Sequence, residues 1–210
     1  MASSATFPSV HDHARGKFVG AALTVLAKHG FDATSMEQIA EATGIPSEEI
    51  VATIGTKDAV VLNVARDMLA DVVRVLTEFD PQKPVVEALL KAHASVLNDV
   101  IDGTGPITLE DMRHMGKAVA SSPDLQKKVS AQRTDMLADV LADHFATSMS
   151  DRQVQQGLKL WSAVLAATYL DVLDKQGRFD RQVDLETPQQ LRDRLNRAYR
   201  ILIGRPTDRT

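Results

Sequence analysis

Residues Arg15–Val60, RGKFVGAALTVLAKHGFDATSMEQIAEATGIPSEEIVATIGTKDAV, decide how the rest of the chain is read. Phe18, Ala21, Ala22, Val25 and Leu26 recur at threes and fours, the spacing of one apolar stripe along a helix from Phe18 to Lys28. Gly30 follows, a residue able to close a helix in the left-handed conformation. Ser35 with Gln38 forms a capping box that opens a short second helix, with Ile39 and Ala42 on its inner face and Thr43-Gly44 at its end. A third helix starts around Ser47. Pro46 fixes its approach, and Glu48 and Glu49 lie in the first turn, where the helix dipole favours carboxylates. Two short helices around a tight glycine turn, braced by a longer one, make a helix-turn-helix.

The same stretch resembles, without a gap, the N-terminal domain of TetR-family transcriptional regulators. The matching residues are Ala22-Leu23, Gly30-Phe31, Thr34-Ser35, Ile39-Ala40, Ala42, Gly44-Ile45 and Lys57-Asp58, and their joint order and spacing are specific. The resemblance implies an all-α chain of about nine helices, with a three-helix DNA-binding head and a larger helical body that dimerises and holds a small ligand. The corresponding organisation is a flexible arm over 1–14, a head over 15–60 and a body over 61–210. Close resemblance stops after the first third of the chain. Within it, Glu48-Glu49 stands where the family usually has a small or basic pair, Val51 replaces a phosphate-contacting tyrosine, and Ile54 replaces a buried phenylalanine.

Charge bears on the same question. Residues 1–60 hold Arg15, Lys17, Lys28 and Lys57 against Asp12, Asp32, Glu37, Glu41, Glu48, Glu49 and Asp58, so the head is acidic. Duplex binding draws on phosphate neutralisation and normally shows a basic footprint, which is missing here. The net charge of -4 over 210 residues argues against non-specific nucleic-acid or membrane-surface binding as the main role. Zero cysteines exclude disulfides and thiolate metal sites. No stretch approaches the roughly 20 apolar residues of a membrane span, no signal-peptide pattern opens the chain, and a cytoplasmic protein is expected.

Outside the head, the pattern stays helical. Met1–Ala14 reads as a disordered arm whose His11-Asp12-His13 is expected to be solvated rather than metal-binding. Further helices are predicted from Lys57 to about Phe79, Pro84 to about Ile101, Thr108 to Ala120, and Pro123 to about Ala146. Ser150 with Gln153 is read as the cap of an eighth helix reaching about Gln176, and Thr187-Pro188 opens a ninth. Six arginines, Arg192, Arg194, Arg197, Arg200, Arg205 and Arg209, make the C-terminal region basic, read as a solvated face. No glycine-rich phosphate loop, nucleophile motif or metal-binding histidine pattern occurs, so no enzyme, cofactor or metal is expected.

The function implied is a dimeric regulator, a repressor, that binds double-stranded operator DNA and is released by a small apolar ligand. Its candidate DNA contacts are Arg15, Lys17, Thr34, Ser35, Ser47, Glu48, Glu49, Thr53 and Lys57. His93, Met112, Met115, Met136, Phe145 and Trp161 are candidates for the ligand pocket, methionine being an adaptable wall. The expected dimer interface, formed by the last two long helices, holds Leu158, Trp161, Leu165, Thr168, Tyr169, Leu191, Leu195, Ala198 and Leu202. The alternative is a TetR-like protein whose acidic recognition helix has lost or weakened DNA binding and which acts as a ligand-binding or protein-partner module.

Overall fold

The computed structural model describes residues 10–80, 83–105, 107–144, 151–169 and 187–204, and within them nine α-helices and no strand. They are α1 (Val10–His29), α2 (Met36–Thr43), α3 (Ser47–Thr53), α4 (Lys57–Leu76), α5 (Val85–Ile101), α6 (Leu109–Ala120), α7 (Pro123–His144), α8 (Arg152–Tyr169) and α9 (Pro188–Leu202). The all-α class read from the sequence is the class observed.

Local chemistry sets most of the ends. At α2, the Ser35 hydroxyl accepts from Gln38 N while the Gln38 side chain accepts from Ser35 N, closing the capping box. Gly44 ends the helix at φ 69°, a left-handed conformation that costs glycine nothing. Pro46 precedes α3 at φ -55°, and Glu48 and Glu49 occupy its first turn. Thr187 and Gln190 close a second capping box at α9. Two ends differ from expectation. α1 already begins at Val10, so the last five residues of the expected arm are helical. The first turn of α8 is capped by Asp151, whose carboxylate accepts from Gln153 N at 2.7 Å; the expected cap, Ser150, lies outside the described residues.

Two hydrophobic cores result, and α4 belongs to both. One gathers Phe18, Leu23 and Leu26 of α1, Ile39 of α2, Ile50 of α3 and Val60, Val61 and Val64 of α4. Leu23, off the stripe predicted for α1, is completely buried because α6 packs along a second side of that helix. Two residues of the later helices, Ala118 of α6 and Leu125 of α7, complete this core. The other core gathers Leu89, Ala92, Val96 and Val100 of α5, which packs against α4, α8 and α9, with Leu158 and Trp161 of α8, Leu195 and Tyr199 of α9, and Leu137 and Leu141 of α7. Gly157 lets α8 come close to α5: a Cβ there would stand 2.5 Å from Val85 Cγ1.

Candidate nucleic-acid interface and effector site

The turn between α1 and α2 holds the recognition unit in place. Gly30 reverses the chain at φ 85°, and the buried Thr34 donates its hydroxyl to Gly30 O at 2.7 Å. The Phe31 peptide is gripped from both sides. Its N–H donates to Ser121 Oγ at 2.7 Å, at the corner between α6 and α7, and its carbonyl accepts from Lys57 Nζ at 2.6 Å. Lys57 Nζ also donates to Thr34 O at 2.7 Å and sits 4.5 Å from the centroid of the Phe31 ring. Further ties between head and body are Thr24 Oγ1 to His114 Nδ1 at 3.2 Å and the ion pair of Lys128 with Asp58.

These bonds re-sort the candidate DNA contacts. Lys57 and Thr34 direct their polar atoms to the backbone of the turn, so the Lys57 ammonium is hydrogen-bonded within the head rather than solvated. Ser35 is exposed at the start of α2, but its hydroxyl already serves Gln38 N and the Glu37 carboxyl. That hydrogen bond, with one from the backbone, holds the Glu37 carboxyl below the usual carboxylate value. Lys17, Glu48, Glu49 and Thr53 are exposed and Ser47 is half-buried. Arg15 lies within α1. On α3, Ile50 alone is buried, at 2% exposure, and pins the helix to the head core. Val51, named from the sequence only as a departure from the family and not as a contact, is 52% exposed on α3.

Residues 18–64 match the family described as bacterial regulatory proteins, tetR family. The head is similar to the N-terminal domain of that family. No curated protein matches the sequence. Among solved structures, a TetR-family regulator from Streptomyces coelicolor A3 is similar at 19% identity and TM-score 0.54, with 96% of this chain and 100% of that one covered. A TetR-like transcriptional regulator from Rhodococcus sp. RHA1 is similar at 20% identity and TM-score 0.49, covering 95% and 100%. A third, a TetR family transcriptional regulator from Thermus thermophilus, stands at 19% and 0.46, covering 89% and 97%. The likeness to the Streptomyces structure is one of fold, and it spans head and body.

In the body of this TetR fold, two candidate effector-site residues meet. The His93 ring of α5 and the Trp161 ring of α8 lie 4.5 Å apart, centroid to centroid, at 46°. His93 Nδ1 is 2.8 Å from Leu89 O, which can only accept, so Nδ1 carries the proton. Burial pushes the imidazole down to about 4; the Leu89 carbonyl opposes the shift and the Arg133 charge adds to it. The ring is therefore neutral at pH 7. Trp161 is buried, and its indole N–H finds no acceptor among the described residues. Met112 shares this core, whereas Met115 packs against the head core instead. Met136 is half-buried on α7, and Phe145 lies outside the described residues. A groove of about 360 Å³ runs along α6 between Leu109, Glu110, Arg113, His114 and Lys117, apart from the His93–Trp161 pair.

The expected dimer residues mostly face inward. Leu158, Trp161, Leu195 and Ala198 are buried in the body core, and Leu165 and Leu191 pack against it. Thr168 is buried with its hydroxyl donating to Val164 O at 2.8 Å. Only Leu202 is exposed, and the Tyr169 side chain lies outside the described set. The physical reason is α5: it packs against both α8 and α9, with Arg192 Nη1 donating to Asn98 Oδ1 at 2.7 Å, and covers apolar residues that the resemblance placed at a dimer interface. The outer faces of α8 and α9 instead expose Leu160, Ile201 and Leu202.

Proposed function

We propose that this protein is a dimeric transcriptional regulator, acting as a repressor, that places α3 in the major groove of operator DNA and lets go when a small ligand enters the body. The observation that carries this reading is α3 itself: anchored by Ile50 in a head whose α1–α2 turn is hydrogen-bonded at Phe31 and Thr34, it turns Glu48, Glu49, Val51, Ala52 and Thr53 outward. A rigid scaffold with one short exposed helix is the arrangement by which helix-turn-helix proteins read base edges. The reading makes the protein a non-enzymatic, cytoplasmic regulator; in keeping with that, no described helix is long and apolar enough to cross a membrane.

Dimerisation would use the outer face of α8 and α9, where Leu160, Ile201 and Leu202 are exposed at 46%, 75% and 48%. The effector would be mainly apolar, seated at the His93–Trp161 pair, with one acceptor for the unpaired indole N–H. Its entry would reach the head through the Ser121 corner, which bonds the Phe31 peptide directly. To have any effect, the ligand must bind the DNA-bound and released states differently.

A second reading is favoured by one specific observation: the two exposed carboxylates of α3 repel phosphates while Lys57 is committed internally. On it, the chain has lost or weakened DNA binding and acts through its body. The variant Glu48→Lys with Glu49→Gly separates the two. If α3 faces the duplex, non-specific DNA affinity rises at low salt with the circular dichroism spectrum unchanged; an unaltered affinity would show that α3 does not meet DNA.

A further inference from the structure

The outer face of α3 has an unusual chemistry for a helix that meets DNA. Its exposed residues are Glu48, Glu49, Val51, Ala52 and Thr53. It carries no arginine, lysine, asparagine, glutamine or histidine, the side chains that donate to guanine O6 and N7 or pair with adenine. Its carboxylates can only accept hydrogen bonds. Val51, at 52% exposure, leaves much of a branched alkyl group in water among the described residues. Positions three and four apart share a helix face, so Glu48 lies beside Val51 and Ala52, and Glu49 beside Ala52 and Thr53.

The major groove offers two features that suit such a face: the cytosine N4 amino group, a donor, and the 5-methyl group of thymine. Guanine edges present acceptors to this groove, and two acceptors facing each other without a proton repel. We propose that α3 selects its site through thymine methyl groups packed on Val51 and cytosine amino groups donating to Glu48 or Glu49, while the same carboxylates exclude guanine from those positions. This rests on the DNA-binding reading above. Discrimination then comes largely from rejecting wrong bases, and the weak attraction to phosphates keeps the protein off random DNA.

The test starts from duplexes selected out of a randomised library by the full-length protein. In the tightest of them, each thymine is replaced in turn by dU, which removes only the methyl group, and affinities are measured for the wild type and Val51→Ala. One buried methyl is worth about fourfold in affinity. The proposal expects a thymine in each half-site where dU weakens the wild type about fourfold and leaves Val51→Ala unaffected, with cytosine rather than guanine beside it on the contacted strand. Because Val51 is exposed, the variant keeps its fold, which circular dichroism checks. Selective binding with no dU-sensitive thymine, or an equal loss in both proteins, overturns the Val51 assignment while leaving the regulator reading intact. Recovery of no selective duplex overturns both.

Discussion

Replacing Lys57 by methionine keeps an unbranched side chain out to Cε and deletes the ammonium. The wild-type group donates to Phe31 O at 2.6 Å and Thr34 O at 2.7 Å, and lies 4.5 Å from the Phe31 ring centre. Hydrogen bonds to a charged donor are worth about 1.5–3 kcal/mol each, and a cation over a ring about 0.5–1 kcal/mol more. The full sum overstates the loss, because Lys57 is half-buried and water can reach the abandoned carbonyls. About 2–4 kcal/mol remains. For a protein of this length, that lowers Tm by about 4–16 °C. Thermal unfolding followed by circular dichroism reads the shift, and hydrogen exchange places it: amides from Gly30 to Ser35 should lose protection first. A lysine held out for a phosphate would behave in the opposite way, with Tm unmoved and the salt dependence of DNA binding reduced by about one phosphate contact. A Tm within about 1 °C of wild type, with unchanged exchange, would refute the structural role.

Three further outcomes follow from the same geometry. Ser121→Ala leaves the buried Phe31 N–H without its acceptor and should cost about 1–3 kcal/mol in urea unfolding; an unchanged midpoint would mean the corner does not hold the turn. Gly157→Ala should destabilise by about 1–3 kcal/mol despite alanine's better helix propensity, because its Cβ would stand 2.5 Å from Val85 Cγ1. Adding Val85→Ala should recover most of that loss, and failure to do so would place the cost elsewhere. The His93 pKa of about 4 lies below the ordinary 6.5, so the unfolded chain binds the extra proton first. His93 therefore gives full stability above pH 6.5 and loses it as the pH falls toward 4, on the order of 3 kcal/mol in all. His93→Leu should flatten this part of the pH profile, and a slope equal to that of wild type would contradict it.

What could be read from the sequence was mostly local. The Ser35–Gln38 box, Pro46 ahead of α3 and Thr187-Pro188 ahead of α9 act through neighbours a few residues away, so spacing alone identifies them. Burial of Ile39 follows from the helical period in the same way. The misses needed the tertiary arrangement. An apolar stripe on α8 or α9 says that something covers it, not whether that is α5 or a second chain. Nothing in the residues around Lys57 reveals that its ammonium reaches back 26 positions to Phe31 O. Leu23 lay off the predicted stripe because a period describes one buried side, and α1 is buried on two. His93 and Trp161, separated by 68 positions in the sequence, could be named as pocket candidates only singly; the packing of α5 on α8 makes them a pair.

The central claim, that α3 meets operator DNA, is tested most directly by fluorescence anisotropy of the purified protein on duplex from its own upstream region, across a salt series. The account predicts sequence-selective binding that weakens as salt rises, with a shallow slope reflecting few phosphate contacts on an acidic head. No binding at low salt by a folded dimer would contradict it.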